Sequence, residues 1–379
     1  MAARIAAALC ALLLAAPVLA AARTREASLP AGADAEVFNL VGEARLSPGD
    51  GPIRVVATVT ADDPAHAQAV RLGIEEKGGR TRLVVAYPED LRRVRVDLDE
   101  FSRLDAEVRY LDRKIRLDDR DGELVRVDLE IFVPEGARLK LSQEAGPITA
   151  TRVAAALKLR SRYGSVSVTD GRGSVYADTS SGSVEVSGFR GPVVADTGSG
   201  TVTVENVLGD VRADTGSGRV RVRGVDGDVE ADTGSGSVRL VDIRAAEVRA
   251  DTGSGPVRLE DVTGSIFVDT GSGGVRGAGL VAGPRVEVDT GSGGVELDGD
   301  LGAIERMEID TGSGSVEITS TTPLSLRLEL DAGSGGVDVD IPGLSEVRAD
   351  RGSFRAVAGT GQGYAEIDTG SGGIRVTAP

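Results

Sequence analysis

The chain has 379 residues, a formal net charge of −16, no tryptophan, 3% aromatic residues and a single histidine, His66. That charge argues against nucleic acid or an anionic membrane surface as a partner. The shortage of rings and imidazoles leaves few platforms for stacking on sugars and little material for histidine-based catalysis or a zinc site.

Residues 1–22 read as a secretory signal peptide: Arg4 precedes an Ala/Leu-rich stretch that ends in small residues around Ala20 to Ala22. The mature chain is therefore expected to be exported, to the periplasm or the cell surface. Its charge becomes −17 once Arg4, the one charged residue of that segment, is lost. Cys10, the only cysteine, lies in the same segment behind Leu9, where a lipoprotein signal has a small residue. Neither a lipid anchor at Cys10 nor a disulfide in the mature chain is expected. No later stretch is apolar for long enough to span a bilayer.

Residues 23–135 carry no short repeat and read as a small, mainly β domain that caps one end of a repeat array. Alternating runs predict strands over Ile53 to Thr60, Thr81 to Tyr87 and Glu123 to Val133. The segment Pro64 to Leu72 reads as one or two helix turns. The mixed-charge stretch from Leu91 to Asp121 reads as exposed strands or a surface loop that adds nothing to a core.

Residues 136–379 are the array. The pentapeptide DTGSG begins at Asp196, Asp214, Asp232, Asp251, Asp269, Asp289, Asp310 and Asp368, at steps close to 18 residues. Degenerate copies begin at Asp178 (DTSSG), Asp331 (DAGSG) and Asp350 (DRGSF), and weaker units surround Gly146 and Gly164. A repeat this short cannot bury a core alone and must stack on its neighbours. Within one unit, Val211 and Ala213 alternate with Arg212 and Asp214, and Val220 and Val222 alternate with Arg219, Arg221 and Arg223. Two short half-buried strands joined by a GSG corner, with a second corner at Gly224 to Asp228, make one coil. The glycines are expected to supply positive φ and close approach at the corner. The predicted fold is an all-β parallel β-solenoid of about 13 coils, a rod of roughly 60 Å at ~4.8 Å per coil; an antiparallel meander is the competing arrangement.

Coil size varies. Steps lengthen to 20 and 21 residues after Asp269, with the insertions at the corner opposite GSG. The residue before the Asp grows in parallel, from Ala195, Ala213, Ala231 and Ala250 to Val288, Ile309 and Leu330. A wider coil needs a larger side chain to fill it, which puts that position inside.

Alternation through the turn then sends Thr215 and its equivalents (Thr197, Thr233, Thr252, Thr270, Thr290, Thr311) inward, as an internal hydroxyl ladder satisfied by its own stack and nearby backbone. Ice-binding solenoids also carry Thr columns, but theirs face water. The aspartates point outward as a column whose bare neighbours at ~4.8 Å repel by roughly 1 kcal/mol per pair in water. Each Asp is expected to offset this by capping its own turn through the corner N–H groups, with Arg212, Arg249, Arg348 and Arg219 adding partial neutralisation. A metal role is the alternative: a calcium column on Asp196, Asp214, Asp232, Asp251, Asp269, Asp289 and Asp310, although the unit is twice the length of a calcium β-roll repeat and no second acid recurs beside the Asp. FVDTGSG (Phe267 to Gly273) also resembles an aspartic-protease motif. Such enzymes need two aspartates sharing a proton across a cleft, which a line of carboxylates does not supply.

The transition VPEGARLKLSQEAGPITA (Val133 to Ala150), followed by repeated turns and V-x-V strands, resembles the bacterial putative-adhesin family, a domain of unknown function with β-strand repeats. The resemblance covers roughly Val37 to Thr377. It implies an exported or envelope-associated protein and brings no catalytic residues or cofactor with it. The function expected is a non-enzymatic adhesin or structural rod with an unknown envelope or surface partner. A calcium-binding β-roll-like protein and a solenoid polysaccharide-active enzyme are the alternatives. Partner contacts are expected on the variable corner, at Gly277 to Pro284, Asp298 to Arg306 and Thr319 to Ser325. The last coil, Tyr364 to Pro379, reads as an uncovered parallel edge and so as a point of self-association.

Overall fold

In the computed structural model, residues 21–30, 32, 34–98 and 103–379 are described. The expected signal peptide and Cys10 lie outside the described residues, save Ala21 and Ala22, whose backbone begins the strand Ala21–Leu29. No helix among the described residues is long and apolar enough to cross a membrane.

The alternation in each repeat becomes a pair of strands with one face inside. In Val211–Thr215 the odd positions Val211, Ala213 and Thr215 are buried, and in Val220–Asp226 Val220, Val222 and Val225 are buried. Each strand pairs in parallel, and in register, with its copy one coil away: Val211 lies opposite Val193 and Val229. The result is a parallel β-solenoid of about 12 turns, with two continuous ladders enclosing one apolar core. The residues before the aspartates point into it, from Ala213 at 0% exposure to Leu330 at 0%.

The second corner needs a left-handed residue once per coil, and the chain places Arg152, Asp170, Gly188, Asn206, Gly224, Asp242, Asp261 and Gly279 there in file, all with φ near +60°. Gly, Asn and Asp tolerate that conformation best. The GSG corner works differently. Its glycines do not have positive φ in the DTGSG copies; they are needed for close approach. A Cβ on Gly216 would lie 2.5 Å from the Gly198 carbonyl oxygen, and one on Gly218 would collide with that of Gly200.

The array starts earlier in the chain than its period reveals. Strand Asp34–Val41 pairs in parallel with Arg138–Ala145, and Ala44–Pro48 with Ile148–Thr151, so both lie in register on the first coil. Beyond them one ladder ends in Arg80–Ala86 and the edge strand Arg71–Lys77, the other in Val125–Val133, Ile53–Ala61 and Ala21–Leu29. The helix Pro64–Ala69 starts where expected, with Pro64 in the first turn and the Asp63 carboxylate accepting the Ala65 N–H at 2.7 Å. The stretch from Leu91 to Asp121 departs from its expected role. It forms a three-stranded sheet, and Leu91, Val94, Val108, Tyr110, Ile115 and Leu117 are buried in the main core. Its charges occupy one face of strands whose other face is apolar.

The C-terminal order differs most from the expected one. The last coil, Gly363–Thr369 and Ile374–Thr377, is internal. Gly363–Thr369 pairs with Arg306–Thr311 on one side and Leu326–Asp331 on the other, and Ile374–Thr377 lies between Val316–Ser320 and Val337–Asp340. The chain therefore skips one slot after Ser320, builds the outermost coil, and returns to fill the gap. The return runs through the antiparallel hairpin Ser345–Asp350 and Ser353–Val357, which covers Leu326–Asp331. DRGSF at Asp350 is the turn of that hairpin and not a coil, which accounts for one turn fewer than the repeat count suggests.

Candidate functional site: the acidic face and its corner

Ten aspartates stand in one file on the outer face: Asp178, Asp196, Asp214, Asp232, Asp251, Asp269, Asp289, Asp310, Asp368 and Asp331, each Cα opposite the next. Asp196, Asp214 and Asp232 are half-buried, whereas Asp251, Asp269, Asp289 and Asp310 are exposed. Burial, and after it the neighbouring aspartates, push the carboxyls of Asp196, Asp232 and Asp251 above the ordinary value of 3.8. Burial does the same at Asp368, where Glu366, Asp331 and Asp310 add to it.

The aspartates of the DTGSG copies do not cap their turns. In the DTGSG copies the corner is held by the threonine instead. Thr215 Oγ1 donates to the Gly200 carbonyl of the preceding coil at 2.9 Å and accepts the Gly218 N–H of its own corner at 3.1 Å. The same pair of bonds recurs at Thr197, Thr233, Thr252, Thr270, Thr290, Thr311 and Thr369. All eight threonines are buried, so each hydroxyl satisfies two backbone groups from inside the stack. They point inward as the alternation requires, but their bonds run to glycine backbone and not from one hydroxyl to the next. Where threonine is missing, the expected cap returns: in DAGSG the side chain is Ala332, and Asp331 accepts the Gly333 N–H at 2.9 Å.

Of the arginines expected beside the column, Arg212 partly offsets the rise at Asp196 and Asp232 while donating to Glu230 at 2.6 Å, and Arg249 donates to Glu247 at 2.5 Å. Arg285, which was not among them, donates to Glu287 at 2.8 Å. Arg348 lies opposite Arg355 in the hairpin. At the first position of the file an arginine bonds the column directly, where Arg160 donates to Asp178 at 2.7 Å. Phe267 interrupts the charged rows, with the guanidinium of Arg249 4.5 Å and that of Arg285 5.5 Å from its ring centroid. A depression of about 590 Å³ opens there, edged by Asp232, Asp251, Asp269 and Asp289. Two cations already sit against the ring, so it is not a free stacking platform.

The seven aspartates of the expected calcium column are thus brought into line, one per coil. Among the described residues no three acidic, imidazole or thiol groups converge as metal ligands. The closest protease-like copy, at Asp269, faces its own repeats and not a second aspartate across a cleft. What sequence reasoning missed was that one threonine hydroxyl donates one hydrogen bond and accepts another at each corner. The signal was present in the recurrence of Thr before GSG in all eight DTGSG copies.

Fold and face together define a parallel β-solenoid with a stapled corner and a single acidic file. The family model of Toastrack DUF4097 matches residues 191–377, so that segment is similar to this family. Two crystal structures are similar at low identity. One, a putative cell adhesion protein from Clostridium sporogenes, is 11% identical over 95% of this chain and 100% of its own, with a TM-score of 0.20. The other, a putative adhesin from Parabacteroides distasonis, is 15% identical over 71% of this chain and 98% of its own, with a TM-score of 0.25. No curated protein matches.

Proposed function

We propose that the protein is an exported, non-enzymatic rod of the cell envelope that works by binding, as an adhesin does. The observation that carries this reading is the uniformity of the acidic face. Ten carboxylates follow one another in register, with no coil set apart by a second acid, base or nucleophile across a cleft. Catalysis needs a few groups converging on one reacting atom, whereas a repeated face offers the same contact many times over.

Specificity belongs on the opposite, variable corner. There the insertions interlock: Thr322 Oγ1 donates to the Asp300 carboxylate at 2.6 Å and accepts the Gly302 N–H at 3.0 Å. Val281 projects from the neighbouring insertion at 47% exposure. Binding of the labelled chain to intact cells and to envelope extract tests the reading. Saturable retention that falls when Val281 is replaced by Asp is expected; turnover of a polysaccharide or of casein by the pure chain would overturn it.

A further inference from the structure

Both ends of the ladder that carries the acidic file finish in an antiparallel edge strand, and the two are built differently. At the C-terminal end Ser345–Asp350 is exposed throughout, but its register breaks between Ser345 and Arg348, with Glu346 at φ +54°. A bulge and flanking charges blunt an edge against pairing. At the N-terminal end Arg71–Lys77 pairs with Arg80–Ala86 in unbroken register over seven residues, with no proline and no bulge. Among the described residues its one strand pairing is with Arg80–Ala86, and Ala21–Leu29 approaches it without pairing.

The side chains of that strand are unfinished in the same sense. Leu72 and Ile74 lie opposite Val85 and Leu83, which are fully buried, so they point to the core side of the sheet. Leu72 is only partly covered, and Ile74 is 50% exposed, one of five large apolar side chains left so exposed among the described residues. On the outer side Arg71, Gly73 and Glu75 alternate with them, all exposed.

The strand is complementary to itself. In an antiparallel pair with its own copy centred on Gly73, Leu72 meets Ile74 of the second chain and Ile74 meets Leu72. On the other side Arg71 meets Glu75 and Glu75 meets Arg71. Apolar faces apolar, opposite charges face each other twice, and the residue without a side chain sits on the two-fold axis. An isologous contact of this kind closes a dimer and does not propagate a fibre. We infer that two copies of this chain join head to head through Arg71–Lys77, extending one sheet across both rods. This places self-association at the end opposite the one the sequence suggested, because the C-terminal coil is already paired on both sides. It stands independently of the binding role proposed above.

Sedimentation of the purified chain from dilute to concentrated solution, with the charge-reversed variants Arg71→Glu and Glu75→Arg, tests the inference. The wild type is expected to double in mass on concentration. Each variant alone should stay monomeric, because it sets like charges opposite each other twice. An equal mixture of the two should recover the doubled mass, since both acidic side chains of one variant then meet arginines of the other. Glu75 also contacts Arg82 at 3.3 Å within the chain, so thermal melting checks that both variants fold. Should either fail, amide exchange in the wild type replaces them: on concentration, exchange should slow over residues 71–77 and not over 345–350. A wild type that stays monomeric, or single variants that dimerise as well as the wild type, would overturn the proposal.

Discussion

Thr215 is bonded to Gly200 of the coil before it, with Oγ1 donating to the carbonyl oxygen at 2.9 Å, and this bond, repeated along the array, ties each corner to the next. The same oxygen accepts the Gly218 N–H. One buried hydroxyl thus shapes its own corner and fixes the distance to its neighbour, while Asp214 beside it bonds to neither.

Replacing Thr215 by Val keeps the shape and removes both bonds. It leaves a half-buried carbonyl and a half-buried N–H without their partner, at a cost of about 1 to 3 kcal/mol in all, since water reaches them in part. Asp214→Asn removes one charge from a crowded file and is expected to be neutral or slightly stabilising. Chemical denaturation ranks the two. Because repeat arrays can unfold in parts, faster exchange of the Gly218 amide in the valine variant should accompany the loss. Equal effects of the two substitutions would return the capping role to the aspartate.

The corner glycines separate into those that need their small size and those that do not. Gly218→Ala drives a methyl into the Gly200 carbonyl, a clash between two backbones that no rotamer relieves, and should cost about 3 kcal/mol or more. Gly336, in the outermost coil, has nothing within 4 Å of a would-be Cβ and no positive φ. Its alanine variant should be neutral, or more stable by about 0.4 to 1 kcal/mol through the unfolded state. Thermal melting of the two variants side by side decides it.

The acidic file should make stability depend on pH in an unusual direction. A carboxyl whose folded pKa is raised binds its proton more readily when folded, so it adds stability as pH falls and takes it away as pH rises. For Asp196, Asp232, Asp251 and Asp368 that gain begins as pH drops through their raised values and is complete below 3.8. Glu36 works the other way: burial pushes its carboxyl up, but Arg82 and Lys140 outweigh that and hold it below 4.5. Its contribution is present above 4.5 and is lost as pH falls through its lowered value. Asp232→Asn isolates the file. Its melting temperature should exceed the wild type's near neutral pH, and the gap should close as pH approaches 3.8. A gap that does not change with pH would show that folding does not raise the Asp232 carboxyl. Calcium or a chelator should leave the wild-type midpoint unchanged, since one carboxylate per coil offers no cage.

Most of the coil was legible because side-chain alternation and an 18-residue step leave few alternatives. Thr215 had to point inward if Ala213 did, and the growth from Ala250 to Leu330 tracked coil width. The order of the last coils was not legible, for a physical reason. From Asp331 to Asp350 to Asp368 the step stays at 19 and 18 residues, so a hairpin turn keeps time with the coils around it. Period reports chain length per unit, and a strand that turns back consumes the same length as one that goes on. Likewise the first strands, Asp34–Val41 and Ala44–Pro48, lie in register on the array without the Asp-Thr corner that would mark them.

The inserted coil should reverse the usual order of fraying. In a simple array the final coil has one neighbour and frays first, since each repeat contributes mainly through its interfaces. Here Ala365, Ile367, Ile374 and Val376 are buried between two coils, and the chain can release them only by breaking four ladders or by first lifting the outer coil. The hairpin Ser345–Val357 and the short strand Val337–Asp340 have the open positions, with Val337 and Val339 only partly covered. Hydrogen exchange should therefore run out of order with the sequence: amides of 345–350 exchange first, those of 326–340 next, and those of 363–377 as slowly as the central coils around Val229. If residues 363–377 exchanged first, the terminal coil would be peeling from an end, and the threaded order of strands would be wrong.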